Sequence, residues 1–332
     1  MVKHSNLGVL TDLEPDDLIA IAALPQAAFY VVGESDPAVK WARMKRYVEL
    51  LYSDPSQSKV IAGMPSDKIY EADGQEFYDG LSMPSDPRSS LDGRPMNLLD
   101  SKDDGLALLE GALRALRSCD KPTLIVLKPP RELIVLYQAN PSAFKELVRP
   151  MHLLAYGGFN FRTLPSSSQD TLIDMFTFFS SVTLYDRSVS TERQLDLTGN
   201  TETLPGIHKV INAGSRRAHP LWTAVAAAIK DWNANIEARV RGNTCAHSRR
   251  IHEAIISDNM QVVLADIVIA AIYHLKAEKL PRMEINQIYS DAQNVLRYDH
   301  LTGPIEKRNW VLVRPLDPTL VDDTLAPILG HV

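Results

Sequence analysis

Leu7-Gly8-Val9-Leu10-Thr11-Asp12-Leu13-Glu14-Pro15-Asp16-Asp17 is the stretch that decides how this chain reads. Five uncharged, mostly apolar residues are followed by four acids within six positions, and then by the apolar run Leu18-Ile19-Ala20-Ile21-Ala22-Ala23-Leu24. The first run has the length of a buried strand, and the second continues as a helix from Asp16 to Leu24. A strand, a tight loop and a helix in that order make half of a βαβ unit. The acids lie on the turn between them, so their carboxylates converge at the strand's carboxyl end.

Outward from this segment the same alternation recurs. Strands are predicted at 29–33, 59–62, 123–127 and 152–156. Helices are predicted at 37–51, opened by Asp36 as cap with Pro37 at its first position, and at 106–117 and 132–148. Such alternation implies right-handed crossovers and a mostly parallel open sheet flanked by helices. Between Gly63 and Asp100, prolines, glycines and serines break the periodicity, which predicts a long ordered loop or lid. From Ala218 the chain is helix-rich, with helices expected at 220–240, 244–256 and 260–275, strands at 283–288 and 310–313, and a last helix at 318–329. Residues 1–332 thus read as a single α/β domain whose 218–280 portion is helical. In open α/β sheets ligands bind beyond the carboxyl ends of the strands. Functional residues are therefore expected after Thr11, Gly33, Leu127 and Tyr156.

Composition narrows the class. The chain has 332 residues and a formal net charge of −6, a balance that argues against a duplex nucleic-acid binder. The only two cysteines, Cys119 and Cys245, fall in no metal-binding spacing and point to a reducing, cytoplasmic setting. No apolar run reaches the roughly 18 residues of a membrane span. Met1 to Asn6 leads straight into a strand without a signal-peptide pattern, which adds to the expectation of an intracellular protein.

Clustered carboxylates repel, and each raises its neighbours' pKa unless a cation intervenes. Calcium takes several oxygen ligands, which this loop supplies in part. One such carboxylate can act as general base toward a water held by the metal. Helix capping is the plainer alternative: Asp16 as N-cap after Pro15, with Asp17 favoured by the helix dipole. Capping accounts for one or two of the acids but leaves Asp12, at the end of a buried strand, unexplained.

The loop resembles the opening of the inosine-uridine nucleoside hydrolase family, in which the first strand ends in Asp-x-Asp-Pro-Gly-x-Asp-Asp. The resemblance implies that Asp12 is catalytic base and calcium ligand, that Asp16 binds a ribose hydroxyl and that Asp17 is a bidentate calcium ligand. Leu10 stands where the family has its first Asp, and Leu13-Glu14 where it has Pro-Gly. Other segments resemble the family in the same order. Val32-Gly33-Glu34-Ser35 is similar to the second-strand turn ending in Gly-Asn, which implies substrate contacts for Glu34 and Ser35. Val126-Leu127-Lys128-Pro129-Pro130-Arg131-Glu132 is similar to Ala-Thr-Gly-Pro-Leu-Thr-Asn, whose Thr lends a main-chain carbonyl to calcium; Lys128 is assigned that place. Tyr156-Gly157-Gly158-Phe159-Asn160 looks like the Met-Gly-Gly segment and its following Asn. Leu264-Ala265-Asp266 resembles the His-Asp start of a late helix, which makes Asp266 the last calcium ligand and puts Ala265 in place of the histidine.

The family's ribose-gripping Glu-Phe-Asn run is absent; the stretch here is Leu164-Pro165-Ser166-Ser167-Ser168-Gln169. A buried partner left unpaired costs about 1–3 kcal/mol, so Asn160 and Arg162 become the candidates for the far end of the sugar. Arg162 suits a 5′-phosphate, or is simply a solvated loop residue. Tyr156, Tyr185 and Trp222 are candidates to stack on a base or to fill the core. His247, beside Arg249 and Arg250, reads as a leaving-group acid or as part of a solvated basic helix face. Lys128 carries a second hypothesis, in which its ammonium lies among Asp12, Asp17 and Asp266 in place of calcium.

The resemblance implies hydrolysis of the N-glycosidic bond of a ribonucleoside or related nucleotide. The ligand is a nucleoside- or nucleotide-like small molecule, the cofactor Ca²⁺ unless Lys128 fills the site, and the assembly a homodimer or tetramer. A binding or regulatory protein with degraded catalysis is the alternative, and an enzyme acting on another sugar linkage a third.

Overall fold

The computed structural model describes residues 5–33, 37–64, 105–157, 164, 166–185, 204–229, 265–285, 287–290, 296–299 and 309–332. The expected lid, apart from Gly63 and Met64, and the expected helix at 244–256 lie outside the described residues.

The chain begins β1 (Leu7–Thr11), α1 (Pro15–Ala23), β2 (Phe29–Val32), α2 (Pro37–Leu51) and β3 (Lys59–Ala62). It continues α3 (Gly105–Arg117), β4 (Thr123–Val126), α4 (Arg131–Ala139), α5 (Pro141–Val148), β5 (His152–Tyr156), α6 (Ser166–Phe176) and β6 (Ser181–Tyr185). Then come α7 (Pro205–Arg216), a helical stretch over 220–229, α8 (Ala265–His274) and the short strands β7 (Arg282–Glu284), β8 (Gln287–Ser290) and β9 (Leu296–Asp299). β10 (Trp310–Val313) and α9 (Pro318–Leu329) close the chain.

Eight strands form one sheet in the order β3-β2-β1-β4-β5-β6-β10-β7. All of its neighbours pair in parallel except β7, which runs antiparallel to β10 at the edge. β8 and β9 form a separate antiparallel hairpin. This is the α/β fold expected from the alternation.

β1 lies inside the sheet between β2 and β4, so both its faces are covered and every residue of it is buried. That is why it reads as a continuous apolar run, not as an alternation. Leu7 and Val9 face one core, with α1, α2, α8 and α9; Leu10 faces the other, with α3 to α6. Gly8 is required by packing, because a Cβ there would lie 2.3 Å from the Phe29 ring.

Several local expectations are corrected. The helix expected at 132–148 is two helices, because Pro141 has no N–H to continue the first, while the Asn140 side chain accepts from Ala143 N at 3.0 Å and caps the second. The strand expected at 283–288 is two strands, β7 in the main sheet and β8 in the hairpin. β6, which joins β5 to β10, carried no assignment, nor did α6 and α7. The start of α7 is capped from elsewhere in the chain. Gly206 N and Ile207 N donate to the two carboxylate oxygens of Asp322 at 2.7 and 2.8 Å. No helix among the described residues is long and apolar enough to cross a membrane.

Candidate active site

Strand order reverses between β1 and β4: the chain builds outward through β2 and β3 on one side and through β5 and β6 on the other. At such a switch point the loops leaving the two strands diverge and open a crevice at their carboxyl ends. Asp12 follows β1 there and Lys128 follows β4. Leu10 pairs with Val126, so Asp12 and Lys128 each stand two residues beyond a directly matched pair.

The carboxylate loop is held by its own polar groups. Thr11 Oγ1 donates to Asp17 Oδ1 at 2.6 Å and accepts from Leu13 N at 3.0 Å. Glu14 N donates to Asp17 Oδ2 at 2.8 Å. Glu14, not Asp16, is the N-cap of α1, with Pro15 at its first position and Asp17 closing a capping box. The capping alternative therefore explains Asp17 and Glu14, but neither Asp12 nor Asp16. Leu13 adopts φ 61°, a left-handed conformation unusual for a residue with a side chain, and its side chain is buried in the core.

Asp266 arrives from the other end of the sequence. α8 packs along α1. Near their starts Asp266 N donates to Asp16 Oδ2 at 3.4 Å, and at their ends His274 Nε2 meets Ala23 O at 2.7 Å. The two helices thus aim their N-termini at one place. One carboxylate oxygen from each of Asp12, Asp17 and Asp266 lies within 4.8 Å of the others. All three side chains are buried, as is Asp16.

Burial, then the Asp12 charge, pushes Asp16 up from 3.8 to about 7. Burial and the neighbouring aspartates hold Asp17 and Asp266 well above the ordinary carboxylate range. Asp266 Oδ1 is buried and accepts no hydrogen bond. Helix dipoles favour the charges but do not neutralise them. Crowded hard oxygens, one of them unpartnered, fit a divalent cation of the calcium or magnesium class.

Lys128 does not supply that cation. Its ammonium is fully buried and bound to both carboxylate oxygens of Glu132, each at 2.7 Å. Pro129 O lies 3.4 Å away, and no aspartate among the described residues is an ion-pair partner. The hypothesis of an internal lysine among Asp12, Asp17 and Asp266 is thereby corrected: Glu132, four residues on, takes the charge. Sequence reading missed Glu132 and also Thr11. The visible signal was an acid four residues after the lysine, at the start of the predicted helix.

Tyr156 ends β5 with its ring 5.9 Å from that of Tyr185, both buried in the core. Trp222 is core as well. Glu34, Ser35, Asn160, Arg162 and His247 lie outside the described residues.

No protein-family model and no curated protein matches the sequence. Solved structures do. An inosine-guanosine nucleoside hydrolase superposes with a TM-score of 0.64 at 13% identity, over 99% of this chain and 99% of its own. The fold is that of the nucleoside hydrolases. The inosine-uridine preferring nucleoside hydrolase of Bacillus anthracis matches with a TM-score of 0.56 at 14% identity, over 98% of this chain and 99% of its own. The type III effector protein XopQ, in a complex with adenosine diphosphate ribose, matches with a TM-score of 0.57 at 12% identity, over 98% of this chain and 93% of its own. The nucleoside hydrolase fold therefore includes both enzymes and an effector.

Proposed function

We propose that this chain hydrolyses the N-glycosidic bond of a ribonucleoside or related nucleotide, with Asp12 as general base. The observation that carries the reading is the meeting of Asp12, Asp17 and Asp266 within 4.8 Å at the switch point of a nucleoside hydrolase-like sheet. Asp12, Asp17, Asp266 and a main-chain carbonyl just past β4 would hold Ca²⁺. Paired one to one, the family's Thr falls opposite Leu127, so that carbonyl joins Lys128's as the candidate. The ion would supply positive charge that orients sugar hydroxyls and makes a water more acidic.

Asp12 ends a rigid strand and can take a proton from water as it attacks the anomeric carbon. Asp16, with its pKa near 7, can accept from or donate to a sugar hydroxyl. Asp17 is fixed by Thr11 and Glu14, so its carboxylate keeps its direction when the site fills. Most of this catalysis is positioning and charge stabilisation.

The test is a panel of nucleosides, nucleotides and NAD-type dinucleotides with millimolar calcium, read as free base. Wild type should release base from at least one class, and Asp12→Ala should release none while melting normally. Full activity in Asp12→Ala would remove Asp12 from the mechanism.

A second reading, ligand binding without turnover, is favoured by Leu10. It lies in the core at the place of the family's first acid. The effector bound to adenosine diphosphate ribose gives this reading a structural parallel. Saturable binding with silence across the whole panel would decide for it.

A further inference from the structure

We propose that Glu132 is a retaining residue: it holds the Lys128 ammonium away from Asp12, Asp17 and Asp266, and so keeps the aspartate site open to a cation from solution. The proposal rests on the cation-site part of the proposed function but not on turnover.

The argument starts from reach. Asp12 and Lys128 leave adjacent, register-matched strands two residues past the same pair. Lysine carries its charge on a flexible four-carbon stem and needs no fixed geometry to meet a carboxylate. A buried ammonium beside clustered, mutually repelling aspartates would be drawn to them unless something held it more firmly. Glu132 is that holder. It sits in the first turn of α4, where the helix dipole favours its charge. Its Oε1 also accepts from Met64 N at 2.6 Å, which ties it to the chain leaving β3.

The surrounding backbone is shaped for this pair. A Cβ on Gly33 would lie 2.8 Å from Lys128 Nζ, and one on Gly63 would lie 2.2 Å from Glu132 Oε1. The two glycines thus leave the room in which ammonium and carboxylate meet. The pair ties the chain leaving β3 to that leaving β4 and lies against the chain leaving β2, while the acids without a counter-ion stand on the chain leaving β1 and at the start of α8. Register sets the lysine beside the strand that leads into the aspartates, and Glu132 is the carboxylate that has it.

The experiment titrates the purified full-length chain with calcium by calorimetry, for wild type, Glu132→Gln, Lys128→Met and the double variant. Thermal melts accompany each. Glu132→Gln keeps the volume and one acceptor but removes the charge that holds the ammonium, and should weaken calcium binding at least tenfold. The double variant should bind within threefold of wild type, because no ammonium remains to compete. A crystal structure of Glu132→Gln should show Lys128 Nζ among the aspartates. Gly33→Ala, whose Cβ would come within 2.8–2.9 Å of Lys128 Nζ, Met64 O and Glu132 Oε1 alike, disturbs the pair without removing a charge; it should weaken binding in the same direction and serves if Glu132→Gln does not fold. Unchanged affinity in Glu132→Gln, or loss without rescue in the double variant, would overturn the proposal, as would loss and recovery of affinity that only track the thermal melts, since a merely structural pair shows that pattern in stability. Absence of calcium binding in wild type overturns it too. Calcium binding with rescue but no base release leaves it standing and sinks only the hydrolase reading.

Discussion

Two groups of buried charges stand past the carboxyl ends of neighbouring strands at the switch point, and they are built on opposite rules. On the β4 side, Lys128 and Glu132 form a closed pair with the ammonium's charge matched by a carboxylate at 2.7 Å. On the β1 side, Asp12, Asp16, Asp17 and Asp266 are buried together and have no cationic partner among the described residues. A closed pair satisfies itself and can be part of a scaffold. An open cluster is unstable as it stands, unless protons or an outside cation complete it. The difference shows where structure ends and chemistry begins in this crevice.

The comparison breaks most visibly at Asp17. Each of its carboxylate oxygens accepts a hydrogen bond, and it has no exposed surface. Asp17→Ala should reduce calcium affinity by more than the roughly 10–100-fold that loss of a supporting group costs. It should also loosen the start of α1, since Thr11 Oγ1 and Glu14 N lose their acceptor. Calorimetric titration against wild type measures the first effect and amide exchange in α1 the second. Wild-type affinity in this variant would remove Asp17 from the cation site.

The closed pair makes the opposite prediction. Lys128→Met leaves Glu132 buried with a charge and no counter-ion, a change of about 3–5 kcal/mol. Lys128→Met with Glu132→Leu should recover most of that, because two apolar groups need no partner. Urea unfolding of the single and double variants measures the difference. Equal stability of the two would mean that water reaches Glu132.

pH separates the two groups without mutation. Asp16 is raised in the fold from 3.8 to about 7, so its stabilising contribution is complete below 3.8 and fades as pH rises toward 7. Asp17 and Asp266 are displaced in the same direction and add to this slope. The folded state holds protons that the unfolded chain has released. In chelator, the melting temperature should therefore fall between about pH 5 and pH 7. Saturating calcium should offset the fall by binding only the folded state. A flat chelated profile would mean that the aspartates do not crowd one another in solution.

How much of this was legible beforehand follows from where each signal resides. β1 and its acidic loop were readable because an apolar run and an acid cluster are local patterns. Asp266 was placed only by its resemblance to a family segment, 250 positions from Asp16, and the packing of α8 on α1 is what brings it to the cluster. β6 escaped because Ser181-Val182-Thr183-Leu184-Tyr185 follows the apolar Phe176-Thr177-Phe178-Phe179 without a clear break in pattern. The fate of Lys128 was legible only in part, through the acid four residues on. Its charge was attractive to either side, and the choice depends on a carboxylate one turn away and on two glycines contributed by other strands.

Leu13 offers the finest test of the open cluster, because it sets the direction of the loop that carries Asp12. Its side chain is fully buried and its backbone is left-handed at φ 61°. These effects oppose each other: burial of a leucine stabilises by about 1.5–3 kcal/mol, whereas the conformation costs roughly 1–2 kcal/mol in any residue with a Cβ. Leu13→Ala loses the first and keeps the second, while Leu13→Gly loses both. Leu13→Gly should therefore be the more stable of the two variants by about 1 kcal/mol, after allowance for glycine's greater freedom in the unfolded chain. Chemical denaturation of the pair measures this directly. If Leu13→Ala proves the more stable, the loop in solution does not hold the left-handed turn, and Asp12 reaches the cluster by another path.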